Sequence, residues 1–269
     1  MGFSVVENEI RTVWMPVHAS DTVYVGQIVG CGLATPADEG VLPIGAAAGA
    51  SDTTGKAIPF GVVVGVNDYD PTFDTTYKAL SGTQVLSQAN QLARSWRGVE
   101  GELWSKGDPQ LFAQVAVIGP HTVIRGPIFN AAYGTAPSVR TVTTGSSDGL
   151  GFTASAADFT PVANNATHYC RTGANRGISR IGDDTSTTVT TNDKAFPYDI
   201  AVGDTFVSVN IRVGNCRAQF DSESTYIEVS AALTSDYYVI NVLDMKLDEA
   251  GSEWAEFTFN ADQFSAARA

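Results

Sequence analysis

The sequence is poor in the residues that carry most enzyme chemistry. It holds three histidines, His18, His121 and His168, and no two of them stand at the spacing of metal ligands. His168-Tyr169-Cys170 puts two ligand types on one side of a strand, but nothing nearby completes a set of four. The three cysteines, Cys31, Cys170 and Cys216, are far apart and odd in number, which argues against a disulfide framework. They are expected to be small buried thiols, with a Cys170–Cys216 bridge left open. Charge is scarce too, at 17% of residues, and it is lopsided: 16 basic against 29 acidic side chains give a net charge of −13. An acidic surface with no Lys/Arg block repels phosphate backbones, so nucleic acid is not an expected partner. Neither is a membrane, because no apolar run approaches the length of a span. The start, "MGFSVVENEIRTVW", lacks a basic stretch before an apolar core and is not expected to act as a signal peptide.

Catalytic signatures are equally thin. No G-x-S-x-G is present, no S-x-x-K set, and no phosphate loop before Gly55-Lys56. Glu100 and Glu102 lie two apart and read as a solvated hairpin end rather than a glycosidase pair. In "NDYDPTFD", Asp68, Asp70 and Asp74 have the order of the first half of a calcium loop. Phe73 stands where that loop needs glycine, and Ala79 where it needs the closing glutamate. These three carboxylates are weak metal candidates, and Asp68 and Asp70 read better as turn formers, as do Asp183 and Asp184 in "IGDDTST". No cofactor and no catalytic residue is expected.

What the chain does have is strand material. Apolar residues reach 43%, and Thr, Ser and Asn fill much of the rest, a mix that suits sheets and turns. Strands are expected at residues 11–17, 23–31, 58–66, 111–118 and 122–128, the last two joined as a hairpin at Gly119-Pro120. In "AIPFGVVVGVND", Gly61 and Gly65 lie four apart and should face one side of a strand, stripped for close approach of another backbone. Val85, Ala89, Leu92 and Trp96 fall on one helical face, which predicts a short helix between Ser81 and Gly98. Residues 131–151 are small and polar and form the best domain boundary. Beyond them, strands are expected at 177–181, 187–191, 205–213, 225–231, 237–247 and 254–260. "VYVGQIVGC" and "IAVGDTFVSV" repeat one device, a Gly26 or Gly203 turn feeding a strand.

The fold expected is all-β in two domains. Residues 1–135 form a small barrel or sandwich with an N-terminal arm and one helical insertion. Residues 136–269 form an antiparallel sandwich or meander.

Three stretches of the first half, "DTVYVGQIVGCG", "GVLPIGAAAGASDTTGKAIPFGVVVG" and "LFAQVAVIGPHTVIRGPI", together resemble the capsid decoration (cement) proteins of tailed bacteriophages. The resemblance spans roughly residues 13–128 and leaves the second half without a counterpart. It implies a non-enzymatic virion protein, assembled in the host cytoplasm, that sits on the outer capsid surface as a homotrimer. There it binds the major capsid protein and bridges capsomers. The contact candidates are Val5, Ile10 and Trp14 in the arm, with Leu92 and Trp96 on the helix. Two other readings stay open. One is a tail, fibre or other surface protein that holds a host glycan through exposed aromatics such as Tyr226, Tyr238 or Trp254. The other is a carbohydrate-active enzyme.

Overall fold

The computed structural model describes residues 2–6, 10–16, 23, 25–31, 41–44, 58–69, 77–80, 112–128, 138–154, 165–185, 187–191, 193–221, 224–228 and 237–264. The chain is all-β, and among these residues the one helical element is a 3-10 turn at Ala261–Phe264. The expected helix, with Leu92 and Trp96, lies outside the described residues.

Two compact units form, and they are not consecutive halves. The first comprises Met1–Ile124 with Phe220–Thr225 and Asn260–Ala269; the second comprises Arg125–Gln219 and Tyr226–Phe259.

In the first unit, β1 (Ser4–Val5) precedes a sheet built from β2 (Thr12–Pro16), β3 (Ile28–Cys31), β4 (Val41–Pro43), β5 (Ile58–Tyr69), β6 (Tyr77–Leu80) and β7 (Phe112–Val117). The order is β2-β7-β5-β3-β4, with β6 hairpinned onto the far end of β5. Val23, Val29, Val41, Val63, Ala113 and Val115 make its core. β-branched side chains dominate because they pack well on a pleated face. Asp68 does not end the strand: β5 continues to Tyr69 and places Asp68 opposite Lys78 of β6.

The two glycines of β5 act differently from expectation. Gly61 is a point of close approach, since a Cβ there would overlap the Val115 side chain and the Ala116 carbonyl. The register then slips between Val63 and Gly65, so that Val63 faces Val115 while Gly65 faces Gln114. A bulge of this kind inserts one residue and reverses the alternation. Gly61 and Gly65 therefore point to opposite faces, and Val64 is left 40% exposed while Val62 and Val63 are buried.

The turn predicted at Gly119-Pro120 is present, with the Thr122 N–H donating to the Gly119 carbonyl at 3.0 Å. It does not make a hairpin. β7 pairs with β2 and β5, whereas β8 (Ile124–Pro127) leads into a different sheet.

The second unit carries a closed barrel in place of the expected sandwich or meander. Its strands are β9 (Ser138–Thr144), β10 (Gly151–Ala154), β11 (Ala166–Cys170), β12 (Ser179–Asp184), β13 (Thr188–Thr191) and β14 (Thr205–Val209). They follow the cyclic order β10-β13-β12-β11-β14-β9, all neighbours antiparallel. The stretch read as a boundary supplies β9, whose buried Arg140 and Val142 alternate with exposed Val139, Thr141 and Thr143. Val142, Phe152, Ala154, Cys170, Val189, Phe196, Ile200 and Phe206 pack the lumen, with Phe152 stacked on Phe206 at 4.4 Å. Closure removes free edges, which short Thr-rich strands would otherwise expose. Cys170 and Cys216 are both free thiols, so the bridge between them does not form.

The remaining strands of this unit are β15 (Gly214–Phe220), β16 (Ile227–Glu228), β17 (Tyr238–Lys246) and β18 (Trp254–Phe259), ordered with β8 as β8-β18-β17-β15-β16. Arg171, leaving β11, ties the barrel to this sheet. Its Nε donates to the Leu247 carbonyl at 2.8 Å and its Nη2 reaches buried Glu253 at 2.5 Å.

The repeated glycine device is real. Gly26 and Gly203 hold φ of 88° and 91°, a left-handed conformation that suits glycine. The Gly26 N–H donates to the Val63 carbonyl at 2.7 Å, and the Val63 N–H returns to the Gln27 carbonyl at 2.9 Å. The Gly203 N–H donates to Val142, and the Val142 N–H returns to Asp204, both at 2.9 Å.

Candidate functional site

Two places concentrate side chains that packing alone does not explain. The first is the N-terminal segment. Phe3 anchors it: the ring is 3% exposed, meets Phe220 edge-on at 5.6 Å, and its N–H donates to the Gly26 carbonyl at 2.7 Å. Gly2 permits this, because a Cβ there would overlap the Gly26 backbone. Val6 is held by its N–H on the Val123 carbonyl at 2.9 Å, yet its side chain is 43% exposed. Ile10 and Trp14 follow at 42% and 44%. Trp14 lies in β2 opposite Gln114, whose amide is oriented by a 3.2 Å hydrogen bond to Thr12 Oγ1.

Of the five contact candidates, the structure thus leaves Ile10 and Trp14 exposed and Val5 half-buried; Leu92 and Trp96 lie outside the described residues. Trp14 belongs to a paired strand and not to a loose arm. Sequence reading passed over Val6 and the anchoring role of Phe3. The signal for both was the alternation in "GFSVV", which puts Phe3 and Val5 on one face and Val6 on the other.

The second place is the lumen of the barrel at the end where β9 begins and β12 finishes. Arg140 of β9 reaches across to Asp184 of β12, at 2.5 Å, with neither side chain exposed. In the cyclic strand order these two strands stand opposite each other, so the pair is a strut across the lumen. Asp184 is not the turn former expected. Burial pulls the Arg140 guanidinium down to about 10, against the opposing pull of Asp184. Beside the strut, His168 of β11 takes a 2.8 Å hydrogen bond between its Nδ1 and Ser208 Oγ of β14, fully buried. Burial and then the Arg140 charge push this imidazole down to about 3; the weaker influences of the Gly182 backbone and Asp183 do not offset them. His168 is therefore neutral at ordinary pH.

A serine and a histidine in contact raise the question of nucleophilic catalysis. Both are sealed inside the barrel, and a nucleophile needs access to its substrate. The geometry is that of a buried polar core. No group of three or more His, Cys, Asp or Glu residues capable of holding a metal occurs among the described residues. Of the weak metal candidates, Asp68 sits in β5, and Asp70 and Asp74 lie outside the described residues, as do Glu100 and Glu102.

The aromatics named for a glycan site do not form one. Tyr226 and Tyr238 are 6% and 1% exposed, and Trp254 is covered by the Arg125 guanidinium at 4.6 Å, which also pairs with Glu256.

No protein-family model, curated protein or solved structure matches the chain.

Proposed function

We propose that this protein is a structural component of a bacteriophage capsid surface, a decoration protein that binds the major capsid protein as a homotrimer and staples neighbouring capsomers. The observation that supports this reading most is the N-terminal segment. Phe3 is buried as an anchor, while Val6, Ile10 and Trp14 stay between 42% and 44% exposed. Apolar side chains held in water by a fixed backbone gain free energy when a partner covers them, about 25 cal/mol per Å². The scaffold is suited to mechanical work, with a closed barrel and ion pairs that lock strand to strand and no open active site among the described residues. Burial of Tyr226 and Tyr238 weighs against a glycan-holding surface.

The test is binding to capsids of the phage that encodes the protein, stripped of their surface proteins. Co-sedimentation should saturate at a fixed number of copies per particle, and light scattering should give three times the chain mass. Trp14→Asp should weaken binding at least tenfold while leaving the circular dichroism spectrum unchanged. Retention on a glycan array with no capsid binding would overturn the proposal.

A further inference from the structure

We propose that the barrel of the second unit closes on an acid-released latch, in which the Arg140–Asp184 strut and the neutral imidazole of His168 hold the lumen together until His168 takes up a proton. The inference rests on the charge inventory of a sealed space. β9 contributes Arg140 and β12 contributes Asp184, both with no exposed side-chain surface, and β12 also contributes half-buried Arg180, directly across from His168 in the β11–β12 register and packed on Phe196. β11 contributes His168 itself and, one inward position along, the Cys170 thiol, which burial pushes up to about 11 and so keeps neutral. β14 contributes only the Ser208 hydroxyl, and the inward residues of β10 and β13 are Phe152, Ala154, Val189 and Thr191. Asp183 of β12 acts on His168 through its charge but is half-buried on the neighbouring position. At neutral pH the fully buried side-chain charges, Arg140 and Asp184, are paired with each other, and Arg180 across from His168 adds a further positive charge.

A proton on His168 breaks this balance. The imidazolium would sit beside Arg140 and across from Arg180, with Asp184 already paired and the pull of half-buried Asp183 too weak to offset burial and Arg140. It would also need two hydrogen-bond acceptors. Ser208 Oγ is at Nδ1, Nε2 makes no well-aligned hydrogen bond, and the Gly182 backbone, which favours the charged form, is outweighed by burial and by Arg140. Burying an unmatched charge is among the costliest events a fold can accommodate, and the cheaper outcome is to open. Opening relaxes the β11–β14 and β9–β14 seams that flank these residues and presents unpaired strand edges, the groups through which sheets recruit other chains. The device converts acidity into available β-edges.

The sign follows from linkage. His168 binds its proton more weakly in the closed barrel than in the open chain, so closure loses ground as pH falls below the ordinary imidazole value of about 6.5. One proton per opening event means a tenfold rise in the open population for each pH unit below that point. The experiment is amide hydrogen exchange on the full chain from pH 7 to pH 4.5, read as protection factors at barrel amides such as Thr167, Val207 and Val209. The wild type should lose protection about tenfold per pH unit below pH 6, some thirtyfold by pH 4.5. His168→Gln should show a flat profile over the same range. A wild-type profile without slope, or an unchanged slope in His168→Gln, refutes the latch. Should His168→Gln fail to fold, the wild-type imidazole is followed directly by its ring-proton resonance. A midpoint below pH 5 in the folded protein upholds the proposal, and one near 6.5 overturns it.

Discussion

The Arg140–Asp184 strut should prove costly to break and cheap to replace. Both side chains are fully buried, and they bridge opposite walls of the barrel at 2.5 Å. Burial outweighs the attraction of Asp184 and draws the Arg140 guanidinium down to about 10. Desolvation of the cation therefore exceeds what its carboxylate returns. The strut is thus a net expense that fixes geometry. Removing the carboxylate alone, as in Asp184→Ala, leaves the buried cation unbalanced and should cost about 3–5 kcal/mol. Replacing both ends with apolar residues of similar volume, Arg140→Met with Asp184→Leu, should restore wild-type stability or exceed it by about 1–4 kcal/mol. Urea unfolding of the wild type and the two variants, followed by circular dichroism at neutral pH, makes the comparison. A loss below about 1 kcal/mol in Asp184→Ala would show that water reaches the pair. A double variant no more stable than Asp184→Ala would show that the strut is a stabilising element whose attraction exceeds its desolvation cost.

Other outcomes are expected on independent grounds. Gly61→Ala should lower stability by about 2 kcal/mol or more in thermal melts, because the new methyl overlaps a backbone carbonyl that cannot rotate away. Gly203→Ala meets no neighbour within 4 Å, so its cost should be the φ penalty alone, about 1–2 kcal/mol. In native protein at pH 8, Cys170 should resist a thiol reagent until urea unfolds the barrel, since it is buried and its thiolate is disfavoured. Arg125→Ala should shift the melting temperature only slightly, as its pair with Glu256 is at the surface and almost half of the arginine side chain is exposed.

Strand identity was largely written in the sequence, while strand partnership was not. The valine-rich stretch at 58–66 and the alternating "WAEFTF" announced themselves, because a half-buried strand must repeat its apolar residues every second position. β9 went unseen. Its inward positions are Arg140 and Val142, and a lone valine among threonines carries no visible period. Nothing local shows that the arginine sits inside, because the carboxylate that lets it do so is 44 positions away. The bulge in β5 is equally invisible, since a single inserted residue depends on the partner strand. The hairpin at Gly119-Pro120 failed for a related reason: a turn fixes a change of direction and not the sheet that receives the next strand. At the N-terminal surface, Ile10 and Trp14 were legible as large apolar residues of the arm. The His168–Ser208 contact joins residues 40 positions apart, and nothing local marks either.

The seam between β9 and β14 has a kinetic meaning. β9–β10, β11–β12 and β12–β13 join strands that are near neighbours along the chain. The Gly203–Val142 hydrogen bond instead joins segments about sixty residues apart, and the entropy of closing a loop grows with its length. This seam must therefore zip last, after the local hairpins have formed, and it sets the pace of folding for the unit. Until then, β9 and β14 stand as open edges on a nearly complete sheet, the stage at which a crowded cell would find the chain most ready to pair with a copy of itself.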